Sequence, residues 1–558
     1  MKTAAWIAVV VFPIRLAATS AEDMTRPTPP ADVGYRGRVV EKAPPRQEGE
    51  VADENQVLLD RLAGVVVAAD AASALRLQAE TRSGVVVEGF PADEERAIRA
   101  VVVGFVGKPV TLGELNRMLD GLGEVAKDAG FLLRRISFPA QEITSGVVAV
   151  RMGTAVVGDV KLAGRPVFGG SFIRKSFRTR SGEPLDEAKV LDDLEWLNRN
   201  PLRRTTISQS PGEGDDALDL TLRVRAAKPW RVYGGVDNQL SETLGDERLY
   251  LGFQQGDVFG LDHRLTGQVT TALQEGALLG GSLSYEMPLV GRQIFGISGG
   301  YTESETKQIG RLDQSGEFTR AALSHRVQLP RWRGIAQEWK SGMEFRNNDY
   351  LFPSGASQTV RFFQLETGWE GRRADAYGST RFGGQLLYSP GQGVLGSEDA
   401  DFIALGADGA ESLILRMNLE RTQRIGEAGA LVLRMRGQWA DSDLLSSDQL
   451  TAGGMAGVRG FDEVVGYASN GLFGGLEWQS PLWKSRAVGD WMGVVFVDGA
   501  VLDREIRIDP GELLSAGFGC RVRWKEQLSG RLDVGFPLEC PDSVDSDPML
   551  HFSIGMNW

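Results

Sequence analysis

Val458-Arg459-Gly460-Phe461 sits at the centre of a Gly- and Ser-rich stretch, Asp441 to Asn470, between two runs that alternate like strands. The stretch is too long for a tight hairpin, and a loop of that length normally has a task. Before it, Leu431, Leu433, Met435 and Trp439 alternate with Val432, Arg434, Arg436 and Gln438, one apolar face and one polar. After it, Gly471 to Ser480 leads through a turn to Val494-Val495-Phe496-Val497-Asp498-Gly499. A guanidinium leaves bulk water only when a carboxylate receives its fork of donors, so Arg459 is expected to pair with Asp498. Taken alone, the tetrapeptide would read as an ordinary solvated turn; its setting changes that reading.

With 558 residues the chain accommodates several domains or one large barrel. Beyond the N-terminus it has no apolar run of about 20 residues, which argues against helical membrane spans. Seventy Gly and only two Cys fit a bacterial envelope β protein that needs no disulfides. A net charge of -13 argues against a nucleic-acid partner, because phosphate binding requires a concentrated basic surface. Met1 to Ala21 has Lys2, then the apolar run Ala4 to Phe12, and ends Ala18-Thr19-Ser20-Ala21, a secretory signal.

Residues 22–54 hold Pro27, Pro29, Pro30, Pro44 and Pro45 among mixed charges, the composition of a flexible linker. Residues 55–80, with Leu58, Leu59, Leu62, Val65, Val66 and Val67, read as a helix turning into a strand: a plug, a docking segment or part of the next domain. From Gly84 the pattern is regular. A Val-rich strand (Gly84 to Phe90), helices over Ala92 to Gly104 and Thr111 to Ala129, and strands near Leu133 to Phe138 and Gly146 to Met152 give the order β-α-α-β-β. The order repeats with a strand Ala155 to Leu162, helices Phe168 to Thr179 and Leu185 to Leu197, and strands Arg204 to Gln209 and Ala217 to Val224.

From Pro229 to Trp558 short alternating runs recur between Gly, Asn, Asp and Ser clusters. At roughly 20 residues per strand and connection they allow about 16 strands, an even number that can close into a barrel and remove every exposed edge. At the C-terminus Phe552, Ile554, Met556 and Trp558 alternate with His551, Ser553, Gly555 and Asn557. That is a strand with an apolar outer face, a small polar inner face and a terminal aromatic, the pattern of a transmembrane barrel.

The sequence resembles the outer-membrane transporters of two-partner secretion (haemolysin secretion/activation type), within the superfamily of outer-membrane assembly and translocation barrels. The likeness runs from Gly84 to Trp558. It rests on Pro139-Ala140-Gln141 followed by Gly146, Leu197-Asn198-Arg199-Asn200-Pro201, Pro211-Gly212 with Asp219-Leu220, Asp237-Asn238, and the Val458 to Phe461 loop. The resemblance implies two periplasmic α+β polypeptide-transport-associated domains, 81–153 and 154–226. These precede a 16-stranded antiparallel transmembrane β-barrel, 227–558, whose loop 441–470 folds into the interior. The family's Phe-x-Asp-x-Gly motif matches Phe496 and Asp498, but its last Gly is Ala500 here, which puts the close packing of the loop on the wall in question. The implied partners are a large secreted cargo protein, outer-membrane lipid, and the barrel assembly machinery that inserts the chain itself.

No catalysis, cofactor or metal is expected. Gly296-Ile297-Ser298-Gly299-Gly300 copies a hydrolase elbow, but strand-like sequence surrounds it and the chain has only His263, His325 and His551. Gly391-x-Gly393-x-x-Gly396 copies a dinucleotide fingerprint but opens no helix. Cys520 and Cys540 fall at different heights on their strands and are expected to stay unlinked. Three functions compete: a protein-exporting channel, an insertase for other barrels, and a passive porin. Two repeats and a specialised interior loop favour export.

Overall fold

The computed structural model describes residues 40–41, 57–128, 134–153, 155–164, 169–213, 217–225, 228–274, 276–305, 315–351, 357–485, 489–503, 512–525, 527–542 and 544–558. They fall into two compact units, one covering Gly37–Ala227 and the other including Lys228–Trp558. The expected secretory segment, Met1–Ala21, lies outside the described residues. So does the Pro-rich stretch apart from Val40–Glu41, which is not linker but a short strand parallel to Ile207 and Ser208.

The first unit contains two sheets. In one, the strands run in the order Gly84–Glu88, Gly64–Ala68, Val147–Gly153, Arg135–Ser137. Residues 55–80 are therefore mostly part of this domain, and the order is strand then helix (Ala71–Glu80), the reverse of the expected one. The error has a physical source. Gly64–Ala68 is buried along its whole length, so its apolar run carries no period that distinguishes strand from helix. Val65 and Val67 pack with Ile98, Met118 and Leu122 beneath the helices Ala92–Val102 and Leu112–Asp128, while Val66 and Ala68 pack with Ala74 and Leu77 on the opposite face.

The Gln141 of the sequence motif acts as a substitute strand. Its amide donates to the Ala149 carbonyl and accepts from the Ala149 N–H, both at 2.7 Å, and Gln78 from the added helix donates to it at 2.9 Å. In the second sheet, Val156–Ala163 lies parallel to Ala217–Arg225, which is antiparallel to Arg204–Pro211. The Asn198 of its motif exchanges two hydrogen bonds with the backbone of Thr205, at 2.9 and 2.6 Å, fixing the entry to that strand.

The barrel closes with sixteen strands among the described residues. They are Trp230–Asp237, Arg248–Val258, His263–Ala272, Leu278–Leu289, Gln293–Ser304, Ser315–Trp332, Ile335–Leu351, Ser357–Asp375, Gly378–Pro390, Glu411–Arg424, Ala430–Ala440, Gly471–Gln479, Gly489–Leu502, Glu512–Trp524, Leu528–Glu539 and Met549–Asn557. A short ribbon, Trp483–Ser485, extends the turn before the thirteenth. Leu249, Leu251 and Phe253 project outward while Gly252 and Gln254 are buried inside, and the other strands alternate in the same way. An apolar outside with a polar inside is the inverse of a soluble protein and fits a bilayer. Trp230, Trp332, Trp483, Trp524 and Trp558 ring the rim that carries both barrel ends, where amphipathic aromatics sit at headgroup level. The tightest connections, such as Arg333-Gly334, lie at that rim, and the interior loop belongs to the other.

Asp237-Asn238 closes the seam. The first and last strands pair from Tyr233 with Asn557 to Asp237 with Ser553. Asn238 then extends the ladder through its side chain, which donates to the Leu550 carbonyl and accepts from the Phe552 N–H, both at 2.7 Å.

Two outcomes are expected. Val66→Asp strands a charge inside the first sheet at a cost of at least about 2 kcal/mol, so limited proteolysis should cleave within residues 57–153 while the barrel stays heat-modifiable. Asn238→Ala leaves two seam groups without partners, and a loss of about 1–3 kcal/mol should lower the temperature at which the barrel unfolds on semi-native gels.

Candidate functional site: the interior loop

The loop 441–470 leaves the eleventh strand, turns inward and returns as the twelfth. Ala440 N–H donates to the Asn470 side chain at 2.7 Å and Leu444 N–H to the Ser469 hydroxyl at 2.9 Å, which fixes the stem. Leu450–Ala452 pairs with Gly466–Ala468 as a small hairpin. The tip beyond it is held by Glu463, whose carboxylate accepts from the Met455 N–H at 2.8 Å.

Val458-Arg459-Gly460-Phe461 is buried against the wall throughout. The Arg459 guanidinium forks onto Asp498, Nε to Oδ2 at 2.6 Å and an Nη to Oδ1 at 3.0 Å, while its other Nη donates to Glu477 at 2.6 Å. Asp533 lies 3.6 Å away. The guanidinium carbon lies 3.5 Å from the centre of the Phe496 ring, so the wall supplies a π face as well as carboxylates. The strand register assembles this receptor, because Glu477 faces Phe496 across neighbouring strands and Asp498 is two residues further along. Arg521 and Arg531 bind Asp533 at 2.5 and 2.7 Å, so the surplus negative charge is shared by a network.

Gly460 requires its residue type. Its φ is +99°, its N–H donates to His551 Nε2 at 3.0 Å, and a Cβ would meet the Gly535 backbone at 2.9 Å. Val458 and Phe461 join Ala452, Phe473, Ala500 and Leu513 in an apolar cluster. The departure at Ala500 is thus accommodated, since its methyl is one of the surfaces on which the loop packs. The wall also holds the loop by its carbonyls, Arg531 at Met455 and Arg436 at Ala456, 3.1 and 2.7 Å.

The structure therefore brings Arg459, Phe496 and Asp498 together and sets Val458, Gly460 and Phe461 around them. Ile554, Met556 and Trp558 lie outward on the final strand, away from this site, and Phe552 is half-buried beside the seam. Sequence reasoning missed Glu477, Asp533, Arg521, Arg531 and the role of His551. The available signal was charge at inward positions of strands flanking Asp498, legible only once the register is known. Both Cys are free, and no metal-ligand cluster occurs among the described residues.

A two-unit chain with α+β sheets before a sixteen-stranded barrel, and an arginine-bearing loop inside that barrel, defines an outer-membrane transport protein. The profile of the haemolysin secretion/activation proteins ShlB/FhaC/HecB matches residues 216–521, and that of the ShlB-type POTRA domain, the polypeptide-transport-associated type, matches 81–153. The chain belongs to the haemolysin secretion/activation family. The outer membrane transporter CdiB-2 of Burkholderia pseudomallei strain 1026b is 24% identical over 423 residues, 70% of this chain and 69% of that protein. CdiB from Escherichia coli superposes with a TM-score of 0.64 at 16% identity, covering 92% of this chain and 94% of that one. BamA from Haemophilus ducreyi lacking POTRA domains 1-3 gives 0.51 at 13% identity, covering 84% and 98%.

Arg459→Ala strands Asp498 in the interior while Glu477 keeps Arg521 at 3.4 Å, and the loop–wall contact should lose about 3–5 kcal/mol. Arg459→Lys should recover little of it, since an ammonium cannot fork onto two carboxylates. Protease cleavage of the loop in the folded barrel, scored beside heat-modifiability, measures both.

Proposed function

We propose that this outer-membrane transporter captures an unfolded secreted polypeptide in the periplasm and passes it through the barrel, and that the interior loop is the latch of the closed state. The observation that carries this reading is the Arg459 network, which fixes a long loop in the lumen through one point of concentrated charge. A chain in transit needs that volume, so the loop must shift. Desolvated charge pairs suit such a latch because they favour one discrete position and lose their strength when water enters.

Capture uses strand edges, where main-chain hydrogen bonds accept any extended sequence. Val40–Glu41, lying parallel to Ile207 and Ser208, supports this, because the edge Arg204–Pro211 already receives extended backbone from this chain. Transport is driven by capture on one side and folding of the cargo on the other. The C-terminal strand with Phe552, Ile554, Met556 and Trp558 serves the chain's own insertion by the barrel assembly machinery. The outward apolar face then meets lipid.

The test is export of a large secreted cargo protein from cells carrying the wild type, Arg459→Ala or a deletion of residues 57–225. Cargo should stay inside in the deletion, and Arg459→Ala, which unlatches the loop, should make the barrel leak small solutes, while each barrel remains heat-modifiable. Unchanged export with depletion of other outer-membrane barrels would transfer the chain to the insertase reading.

A further inference from the structure

Inward positions of a transmembrane barrel normally face water and are polar. Below the outer rim this chain obeys that rule, with Arg320, Glu344, Arg346 and Gln364 directed inward. At the rim away from the barrel ends apolar side chains predominate around the buried polar Thr302 and Asn348. Ala272, Leu278, Phe318, Tyr350, Val360 and Phe362 continue the same inward-facing rows, yet each is at most 5% exposed. They are covered by Leu240 and Leu244 from the first connection, by Leu445 from the interior loop, and by Phe402, Leu405 and Ala407 from the connection 391–410.

That last connection is built to sit there. Its helix, Asp399–Ile403, is closed by a capping box from Glu398 and Asp401 and presents Phe402 edge-on to Phe362, ring centres 6.1 Å apart. Gln358 on the wall donates to Asp401 at 2.8 Å. The segment is also joined to the interior loop, because the Asp408 N–H donates to the Asp443 carbonyl at 3.0 Å and the Asp443 N–H to the Asp408 carboxylate at 2.9 Å. Beneath the cluster, Arg346 lies over the Phe362 ring at 4.1 Å and binds Asp448 of the same loop at 2.9 Å.

We propose that the segment 391–410 is an outer lid, separate from the Arg459 latch, which seals the external mouth of the lumen by docking Phe402 onto the apolar ring of Phe318, Tyr350, Val360 and Phe362. The inference rests on the lumen being the transport path. Apolar contact makes a seal that excludes water and solutes yet releases without breaking a buried charge pair. The Asp408–Asp443 bridge ties its opening to movement of the loop stem. The lid thus responds to cargo already displacing the loop from below.

The test places one thiol under the lid. Ser389 is 4% exposed and bonded to Gln364, the inward residue next below Phe362. Ser389→Cys is introduced with Cys520→Ser and Cys540→Ser, and intact cells are exposed to a membrane-impermeant maleimide. A docked lid is open only roughly 0.1–10% of the time, so labelling should be slow; Phe402→Asp should accelerate it about tenfold or more, and Phe402→Leu should restore the slow rate. Equal rates in all three would overturn the lid. Heat-modifiability identifies folded barrels, and excision of residues 398–407 makes the same comparison if Phe402→Asp does not fold. Slow labelling in the excised form overturns the proposal too, and leaves the transporter reading untouched if export still depends on the chain.

Discussion

A single guanidinium in a dehydrated lumen sets the terms for the rest of the barrel. Arg459 is 2% exposed, and a charge so placed must be matched by carboxylates brought to it by the wall. Three adjacent regions answer, through Glu477, Asp498 and Asp533, and their excess charge in turn requires Arg521 and Arg531. Each of those side chains reaches inward only if its strand keeps the right phase. A slip of one residue anywhere between the twelfth and fifteenth strands would send them into lipid. The loop and the wall register therefore specify one another.

The lumen is divided along its length by chemistry. Around the loop tip the contacts are ionic and directional. At the outer rim they are apolar and depend on area and shape, with Phe402 meeting the Phe362 ring. Arg346 touches both regions, bound to Asp448 and lying over Phe362, so the two are mechanically continuous. An obstruction built from several unlike contacts stays closed against solutes while no single contact is too strong to yield to a moving chain.

The periplasmic domains show a similar division between what a sheet hides and what it offers. The helix Ala71–Glu80 covers the second face of the first sheet, packing on Val66 and Ala68 of its interior strand, so that face is consumed by the domain's own core. In the second sheet the edge Arg204–Pro211 carries a strand of the same chain at Ile207 and Ser208. Backbone pairing, which is indifferent to side-chain identity, remains the means by which an arbitrary polypeptide can be held.

Much of this was legible in the sequence because it is local. Alternation of period two marked the barrel strands and their outward faces, the helical repeats marked the two α+β domains, and one Arg in a long Gly-rich loop with Asp498 in the second strand after it marked the ion pair. What lacked a local signature was misread or missed. The run Gly64-Val65-Val66-Val67-Ala68, buried on both faces, has no period, and residues 55–80 were expected as a helix turning into a strand where the structure has the strand before the helix. Glu477, Asp533 and His551 are ordinary polar residues on alternating strands, and the apolar patch under Phe402 looks like any other strand end. Sequence alone determined which residues face in and which face out, since that follows from the two-residue repeat of an extended chain. Only the closed tertiary structure decided which inward residues meet, because those partners lie on different strands and come together through register and closure, which no single stretch encodes.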